Sequence, residues 1–218
     1  MNIKLITFDW SGVISDDRIP VYGANMQIAR DYGKKPVGFK TWLSMTTMNA
    51  AEFLKKFGVN EDPEKLFQIY EERFDQLSSN GHPPKIYSDV KETLEYLKER
   101  KIRMAILSSH PKKSLEQEAQ RYGIANFFQL TLASSRNKIQ GLETICRTLQ
   151  TPPHLTLYIG DSIHDIRAAK KANVKSAAKA NHILKLSGYH KEEALRNENP
   201  DVFLQTLSEL KTVVEKIT

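Results

Sequence analysis

The sequence predicts an α/β protein: a mostly parallel sheet with helices on both faces, and a bundle of helices inserted after the first strand. Three observations predict it. Short apolar runs recur and end on polar groups: residues 5–8 lead into Asp9, 102–107 into Ser108, and 155–159 into Gly160-Asp161. From residue 86 onward, segments of helical period alternate with these runs. From Pro20 to about residue 85 the pattern is helical, with no strand intervening.

In chain order, Leu5-Ile6-Thr7-Phe8 reads as a strand buried on both faces. Ser11 and Gly12 break it, and Gly12 permits a tight curl beside Asp9. Residues 14–20 read as an exposed loop, with Asp16 and Asp17 as loop or capping acids and Pro20 opening a helix. That helix carries Met26, Ile28 and Ala29 and stops at Gly33. Trp42, Leu43 and Met45 mark a second, and Phe53, Leu54 and Phe57 a third ending at Gly58. Asp62-Pro63 is a cap-then-proline start for a fourth, with Leu66, Ile69, Tyr70 and Phe74 at helical spacing. Residues 79–84 are a hinge back into the sheet. A helix through Val90, Leu94 and Leu97 follows, then a strand over 102–107, a helix over 111–123, and a short strand over 128–132. The remainder reads as a helix over 139–149, a strand over 155–159, its crossover helix over 163–172, a fifth strand over 174–178, and a closing helix over 204–214.

A chain of 218 residues holds one α/β domain, or a core domain with a small insert. No apolar stretch reaches the length of a membrane span, and the N-terminus lacks a basic-then-apolar leader. The single Cys146 excludes a disulfide framework and reads as core packing, so a cytoplasmic setting is expected. The net charge of +6 arises from basic residues interleaved with acids, as in Lys91-Glu92 and Lys98-Glu99-Arg100. They do not alternate with aromatics, so a nucleic-acid partner is not expected. A solvated surface with mild attraction for anionic substrates is.

Parallel strands end on one sheet edge, so Asp9, Ser108, Asp161 and Asp165 converge there although they are far apart in sequence. Three clustered carboxylates repel one another unless a cation sits among them, and Mg²⁺ is the usual hard ion beside phosphate. Lys138 adds a point charge and Ser108 a hydroxyl donor; with helix-start amides they hold a phosphate. An Asp carboxylate can attack phosphorus and split one hard displacement into two easier ones.

Phe8-Asp9-Trp10-Ser11-Gly12-Val13, Ile106-Leu107-Ser108-Ser109, Lys138 and Gly160-Asp161-Ser162-Ile163-His164-Asp165 resemble, in order, the four motifs of the haloacid dehalogenase-like hydrolases. The helices inserted after the first motif resemble the subclass with a helical C1 cap. The resemblance implies a Rossmann-like core over residues 1–14 and 86–218 and a helical cap over 15–85. It implies Asp9 as nucleophile and metal ligand, Ser11 as a metal ligand through its backbone carbonyl, and Ser108, Ser109 and Lys138 as phosphate-binding residues. Asp161 would ligate the metal, and Asp165 would ligate it or support a residue that does.

One departure matters. Phosphatases of this family carry a second Asp two residues after the nucleophile, as acid and then base; here that residue is Ser11, a poor proton shuttle. Val13 also stands where Thr is more usual. The expected function is Mg²⁺-dependent hydrolysis of a small phosphorylated metabolite through an aspartyl-phosphate, by a monomer or homodimer with no membrane partner. Two alternatives stand beside it. Asp9-Trp10-Ser11-Gly12-Val13 resembles the Asp-Trp-Ala-Gly-Thr motif of phosphonoacetaldehyde hydrolases, whose cap lysine forms a Schiff base. Lys34, Lys35 and Lys40 lie in that region, but their surroundings do not match. The other alternative is a catalytically weak protein that binds a phosphorylated ligand. Dehalogenation is disfavoured, because the Asp161/Asp165 pair would be surplus.

Several residues have bland readings. His110, after Ser108-Ser109, could touch substrate but is expected at the surface or as a helix-flanking cap; His164 is expected to face solvent; Trp10 could stack on substrate but is expected to pack the turn. Trp42, Met45 and Met48 read as the insert's own core, and Thr46 and Thr47 as candidates to reach substrate.

Overall fold

The computed structural model describes residues 2–45, 50–180, 186–187 and 190–215. The first strand, β1 (Leu5–Phe8), is buried along its whole length. It lies in the middle of a six-stranded parallel sheet, between β4 (Arg103–Leu107) and β6 (Thr156–Gly160). Phe8 is level with Ile106 on one side and with Ile159 on the other. Outside these lie β5 (Leu130–Leu132) next to β4, and β7 (Lys175–Lys179) and β10 (Val202–Leu204) beyond β6. The order is β10-β7-β6-β1-β4-β5.

Side chains alternate across this sheet because the strand period is two. Ile6, Phe8, Ile106 and Ile159 face one layer, filled by Leu94 and Leu97 of α5 (Val90–Glu99), Leu115 of α6 (Lys112–Arg121) and Leu210 of α10 (Leu210–Glu215). Leu5, Ala105, Leu107 and Tyr158 face the other, filled by Leu142 and Ile145 of α7 (Lys138–Thr148) and Ala168 and Ala169 of α8 (Ile163–Lys171). Each large apolar side chain so buried contributes about 1.5–3 kcal/mol. The chain leaves β1 towards β4 but leaves β6 towards β7, so the connections diverge between β1 and β6. Such a divergence opens a crevice at the strand ends, where α/β sheets bind ligands.

The chain divides into two compact units, Met1–Ser15 with Ile86–Thr218, and Asp16–Lys85. The second holds α1 (Arg18–Asp31), α2 (Phe39–Met45), α3 (Ala50–Lys56) and α4 (Pro63–Ser79). Asp62 starts α4 by accepting from the amides of Glu64 and Lys65 at 3.0 and 3.1 Å, ahead of Pro63 in the first turn. Buried Trp42 packs against Tyr22 and Phe39 with ring centroids 5.5 and 5.6 Å away. Met45, by contrast, is exposed. Thr46, Thr47 and Met48 lie outside the described residues.

Four expectations need correction. Residues 14–20 are not an exposed loop: Ile14, Ser15 and Asp17 are buried. β2 (Ser15–Asp16) pairs with β3 (Lys85–Ile86), and Arg18 grips both oxygens of Asp16 at 2.7 Å. The strand expected over 128–132 is shorter, because a 3₁₀ turn at Ala125–Phe127 precedes it. The closing segment is not one helix. Its first residue, Leu204, ends β10, a 3₁₀ turn follows at Leu207–Glu209, and only then does α10 begin. Asp89 imposes the break by accepting from the amides of Leu207 and Ser208 at 2.6 and 3.1 Å. Finally, β8 (Leu186–Ser187), β9 (His190–Lys191) and α9 (Glu192–Asn197) occupy a region for which no element was expected.

Candidate active site

Asp9 directly follows β1, and its amide extends the ladder by donating to Ile159 O at 2.8 Å. The chain then curls. Trp10 O accepts from the amides of Val13, Ile14 and Ser15 at 3.3, 2.9 and 3.0 Å. Gly12 sits in this curl at φ 74°, and a Cβ there would lie 1.9 Å from Asp161 Oδ2. Only glycine lets the backbone approach that carboxylate so closely.

Asp161 follows β6 at the same sheet edge. Ser162 then caps α8, accepting from the Asp165 amide at 3.2 Å, while Asp165 Oδ2 accepts from the Ser162 amide at 3.0 Å. Asp165 Oδ2 also accepts from Ser162 Oγ at 2.5 Å, and its Oδ1 accepts from Tyr158 OH at 3.0 Å. Lys138 opens α7, where Asn137 caps by accepting from the Gln140 amide at 3.1 Å. Its Nζ reaches Asp9 Oδ2 and Asp165 Oδ1, both at 2.5 Å. Ser108, buried at the end of β4, donates to the Asp9 carboxylate and accepts from the His110 amide at 3.2 Å. Asp9 Oδ1 accepts from the Trp10 amide at 2.7 Å.

The structure thus brings the buried Asp9, Ser108, Asp161 and Asp165 together around the partly exposed Lys138, while Ser11 and Ser109, next to these residues in the chain, are half-buried. Asp9, Asp161 and Asp165 each offer an oxygen within 4.8 Å of the others. Three carboxylates against the ammoniums of Lys138 and, beside Asp161, Lys179 leave an excess of negative charge. Burial raises the Asp9 carboxyl above its usual value; Lys138 opposes this and Asp165 adds to it. Burial likewise pushes Asp161 well up, and the charges of Asp165 and Asp9 add to the push. Burial works on Asp165 too, but Lys138 outweighs it and holds that carboxyl below its usual range. Lys138 is held above its ordinary value because the two carboxylates outweigh its burial. Asp161 Oδ2 is buried and has no hydrogen-bond partner among the described residues. A hard divalent cation fits this donor set: it takes oxygen ligands, meets that orphaned oxygen and offsets the excess charge.

A second polar cluster adjoins the first. Ser11 Oγ lies 3.4 Å from His110 Nδ1, and His110 Nε2 lies 3.1 Å from Glu118 Oε1. Glu118 Oε2 accepts from Trp10 Nε1 at 2.8 Å and from Ser15 Oγ at 2.7 Å. Burial would raise Glu118, but His110 and these donors outweigh it and hold the carboxyl below its usual value. Tyr122 stacks on Trp10 and is pushed up to about 12, by burial first and then by the Glu118 charge. Lys179, buried at the end of β7, donates to Gly12 O at 3.2 Å and lies 4.1 Å over the Tyr87 ring.

His110 is therefore a correction: it is 4 % exposed, not a surface cap, because Glu118 and the Ser108 turn draw it inward. His164 is half-buried rather than facing solvent. Sequence reasoning missed Tyr158, Glu118 and Lys179. Glu118 left a signal, since it falls three residues after Leu115 on the buried stripe of α6, where a charge needs a partner. Tyr158 left a weaker one, a phenol in a strand that is buried along its whole length.

The family model described as haloacid dehalogenase-like hydrolase matches residues 6–179, which contain both clusters. A phosphoglycolate phosphatase of Vibrio parahaemolyticus is 28% identical over 231 residues, covering 98% of this chain and 96% of that one. A phosphoglycolate phosphatase of Synechococcus elongatus is 22% identical over 217 residues, covering 99% of each. Among solved structures, a haloacid dehalogenase-like family hydrolase of Streptococcus pneumoniae superposes with a TM-score of 0.83 at 19% identity. That match covers 98% of this chain and 99% of the other, a likeness of fold.

Proposed function

The chain belongs to the haloacid dehalogenase-like hydrolases, and from that premise we propose that it is a Mg²⁺-dependent phosphatase acting through an aspartyl-phosphate on Asp9. The observation that carries the reading is the buried Asp161 oxygen with no partner, facing a nucleophile-bearing cluster already tied to Lys138. A fold keeps such an oxygen at a cost of about 1–3 kcal/mol unless something meets it.

Asp9, Asp161 and the Ser11 carbonyl would hold Mg²⁺. Asp165 supports them, since both its oxygens are already engaged by Lys138, Tyr158 and Ser162. The ion supplies charge neutralisation on the phosphoryl group. Ser108, Ser109 and Lys138 bind the phosphate oxygens, and Lys138 opposes the burial that raises the Asp9 carboxyl. Asp9 attacks phosphorus, the leaving oxygen departs, and water then hydrolyses the phosphoaspartate. The Asp16–Lys85 unit is the C1-type helical cap in this reading. Relatives named phosphoglycolate phosphatase make a small phosphorylated carboxylate the first substrate class to test. No helix of the described residues is long and apolar enough to cross a membrane, in keeping with a cytoplasmic enzyme working on a metabolite.

The test is phosphate release from a panel of phosphorylated metabolites, 2-phosphoglycolate included, with and without Mg²⁺. Release by the native protein that needs Mg²⁺ and falls about 10³-fold or more in Asp9→Asn is expected. No release across the panel, or release indifferent to Asp9, overturns the proposal.

A further inference from the structure

The side-chain cluster of Ser11, His110 and Glu118 has no part in binding phosphate or a cation, for which only the Ser11 backbone carbonyl is used, yet it adjoins the nucleophile. Its members form a line. Glu118, on α6, is buried and fixed by Trp10 Nε1 and Ser15 Oγ. His110 stands between, with Nε2 3.1 Å from Glu118 and Nδ1 3.4 Å from the Ser11 hydroxyl. Ser11 is half-buried and lies two residues after Asp9. The His110 amide donates to Ser108 Oγ at 3.2 Å, and Ser108 in turn bonds Asp9. The ring is thus tied to the nucleophile's surroundings through its backbone as well as its nitrogens.

A carboxylate, an imidazole and a hydroxyl in series connect the core to the residue beside the reacting centre. A serine hydroxyl alone is a poor acid or base at neutral pH. A serine joined to an imidazole needs only to pass a proton on, taking one as it gives one.

We propose that Ser11, His110 and Glu118 are the proton relay of this enzyme, with the Ser11 hydroxyl touching first the leaving oxygen and then the attacking water. His110 and Glu118 are positioning residues that act through Ser11. The proposal rests on the phosphatase reading above. In the first half-reaction the bond from Asp9 Oδ to phosphorus forms and the bond from phosphorus to the leaving oxygen breaks. The leaving oxygen takes the Ser11 hydroxyl proton, and Ser11 takes one from His110 Nδ1. In the second, the bond from water oxygen to phosphorus forms and the bond to Asp9 breaks. The water's proton passes to Ser11, whose own returns to Nδ1. The relay ends as it began, and one water is consumed.

The experiment compares two Mg²⁺-loaded substrates. An alkyl phosphate has a basic leaving oxygen that needs a proton; dinitrophenyl phosphate leaves without one. Single-turnover release of the leaving group, together with kcat and KM, is measured for the native protein, His110→Gln, Ser11→Ala and the double variant Ser11→Asp/His110→Gln. Release from the alkyl phosphate is expected to fall about 10²-fold in His110→Gln and Ser11→Ala, in kcat rather than KM, with a loss about tenfold smaller on dinitrophenyl phosphate. The double variant, with a carboxylic acid in place of the relay, is expected to recover about tenfold over His110→Gln on the alkyl phosphate. Equal losses on both substrates, or no recovery in the double variant, overturn the relay while native activity leaves the phosphatase standing. No Mg²⁺-dependent release by the native protein overturns the phosphatase reading itself, and the relay with it. Ser11→Ala removes only a half-buried hydroxyl, so it carries the comparison alone if His110→Gln does not fold.

Discussion

Asp161 is 2 % exposed, and one of its oxygens meets no donor among the described residues. Burial and the charges of Asp165 and Asp9 raise its carboxyl well above 3.8. The folded protein therefore holds a proton there that the unfolded chain has released, across the window from 3.8 up to the raised value. Stability from this group is present below that window and is lost as pH rises through it. Two outcomes follow for protein prepared free of metal. Mg²⁺ raises the melting midpoint, and raises it more at pH 8 than at pH 5; each kcal/mol is worth about 2–4 °C for a chain of this size. Asp161→Asn raises the metal-free midpoint and abolishes the Mg²⁺ shift. Calorimetry that finds Asp161→Asn less stable, with its Mg²⁺ shift intact, contradicts this placement of the ion. Gly12 is the matching backbone case. Gly12→Ala must displace Asp161 or abandon a positive φ, at about 1–3 kcal/mol of stability. The Mg²⁺ concentration for half-maximal stabilisation should rise about tenfold or more in a titration followed by melting.

At the scale of elements, the strands that carry the site were legible because they are buried on both faces and stop on functional groups. Leu5-Ile6-Thr7-Phe8 before Asp9 and residues 155–159 before Gly160-Asp161 announce both strand and site. Elements whose ends are set by distant partners were not. Asp89 holds the turn that precedes α10, and the local start signal there, Thr206 three residues before Glu209, does not name that distant partner. Helix α6 was legible as a helix, but not as the bearer of the acid that organises the second cluster. Its role gives an element-scale prediction. Glu118→Leu leaves Trp10 Nε1, Ser15 Oγ and His110 without their buried acceptor, and should cost about 3–5 kcal/mol in urea unfolding. Because Glu118 is held below its usual value, that difference is full above pH 4.5 and shrinks as the pH falls through the folded value. A loss under about 1 kcal/mol, or one that grows in acid, would mean that the cluster is not held through Glu118.

For the whole molecule, the parallel order β10-β7-β6-β1-β4-β5 puts the ends of β1 and β6 side by side where the connections diverge. Asp9 and Asp161 meet there although a large part of the chain separates them. Convergence of this kind follows from strand order, and the alternation of strand and helix in the sequence was enough to anticipate it. How the site moves protons was not legible, because Ser11 reads as a missing acid until the fold sets His110 and Glu118 behind it. The covalent step proposed on Asp9 unites these features, and it is open to direct observation. The protein is mixed with a substrate that it turns over, quenched during the reaction and reduced with borohydride, which converts an acyl phosphate to the alcohol. Peptide mapping should then find homoserine at residue 9 in the native protein, and none in Asp9→Asn or without substrate. Turnover with no homoserine at residue 9, or with the reduced residue elsewhere, would contradict Asp9 as the nucleophile.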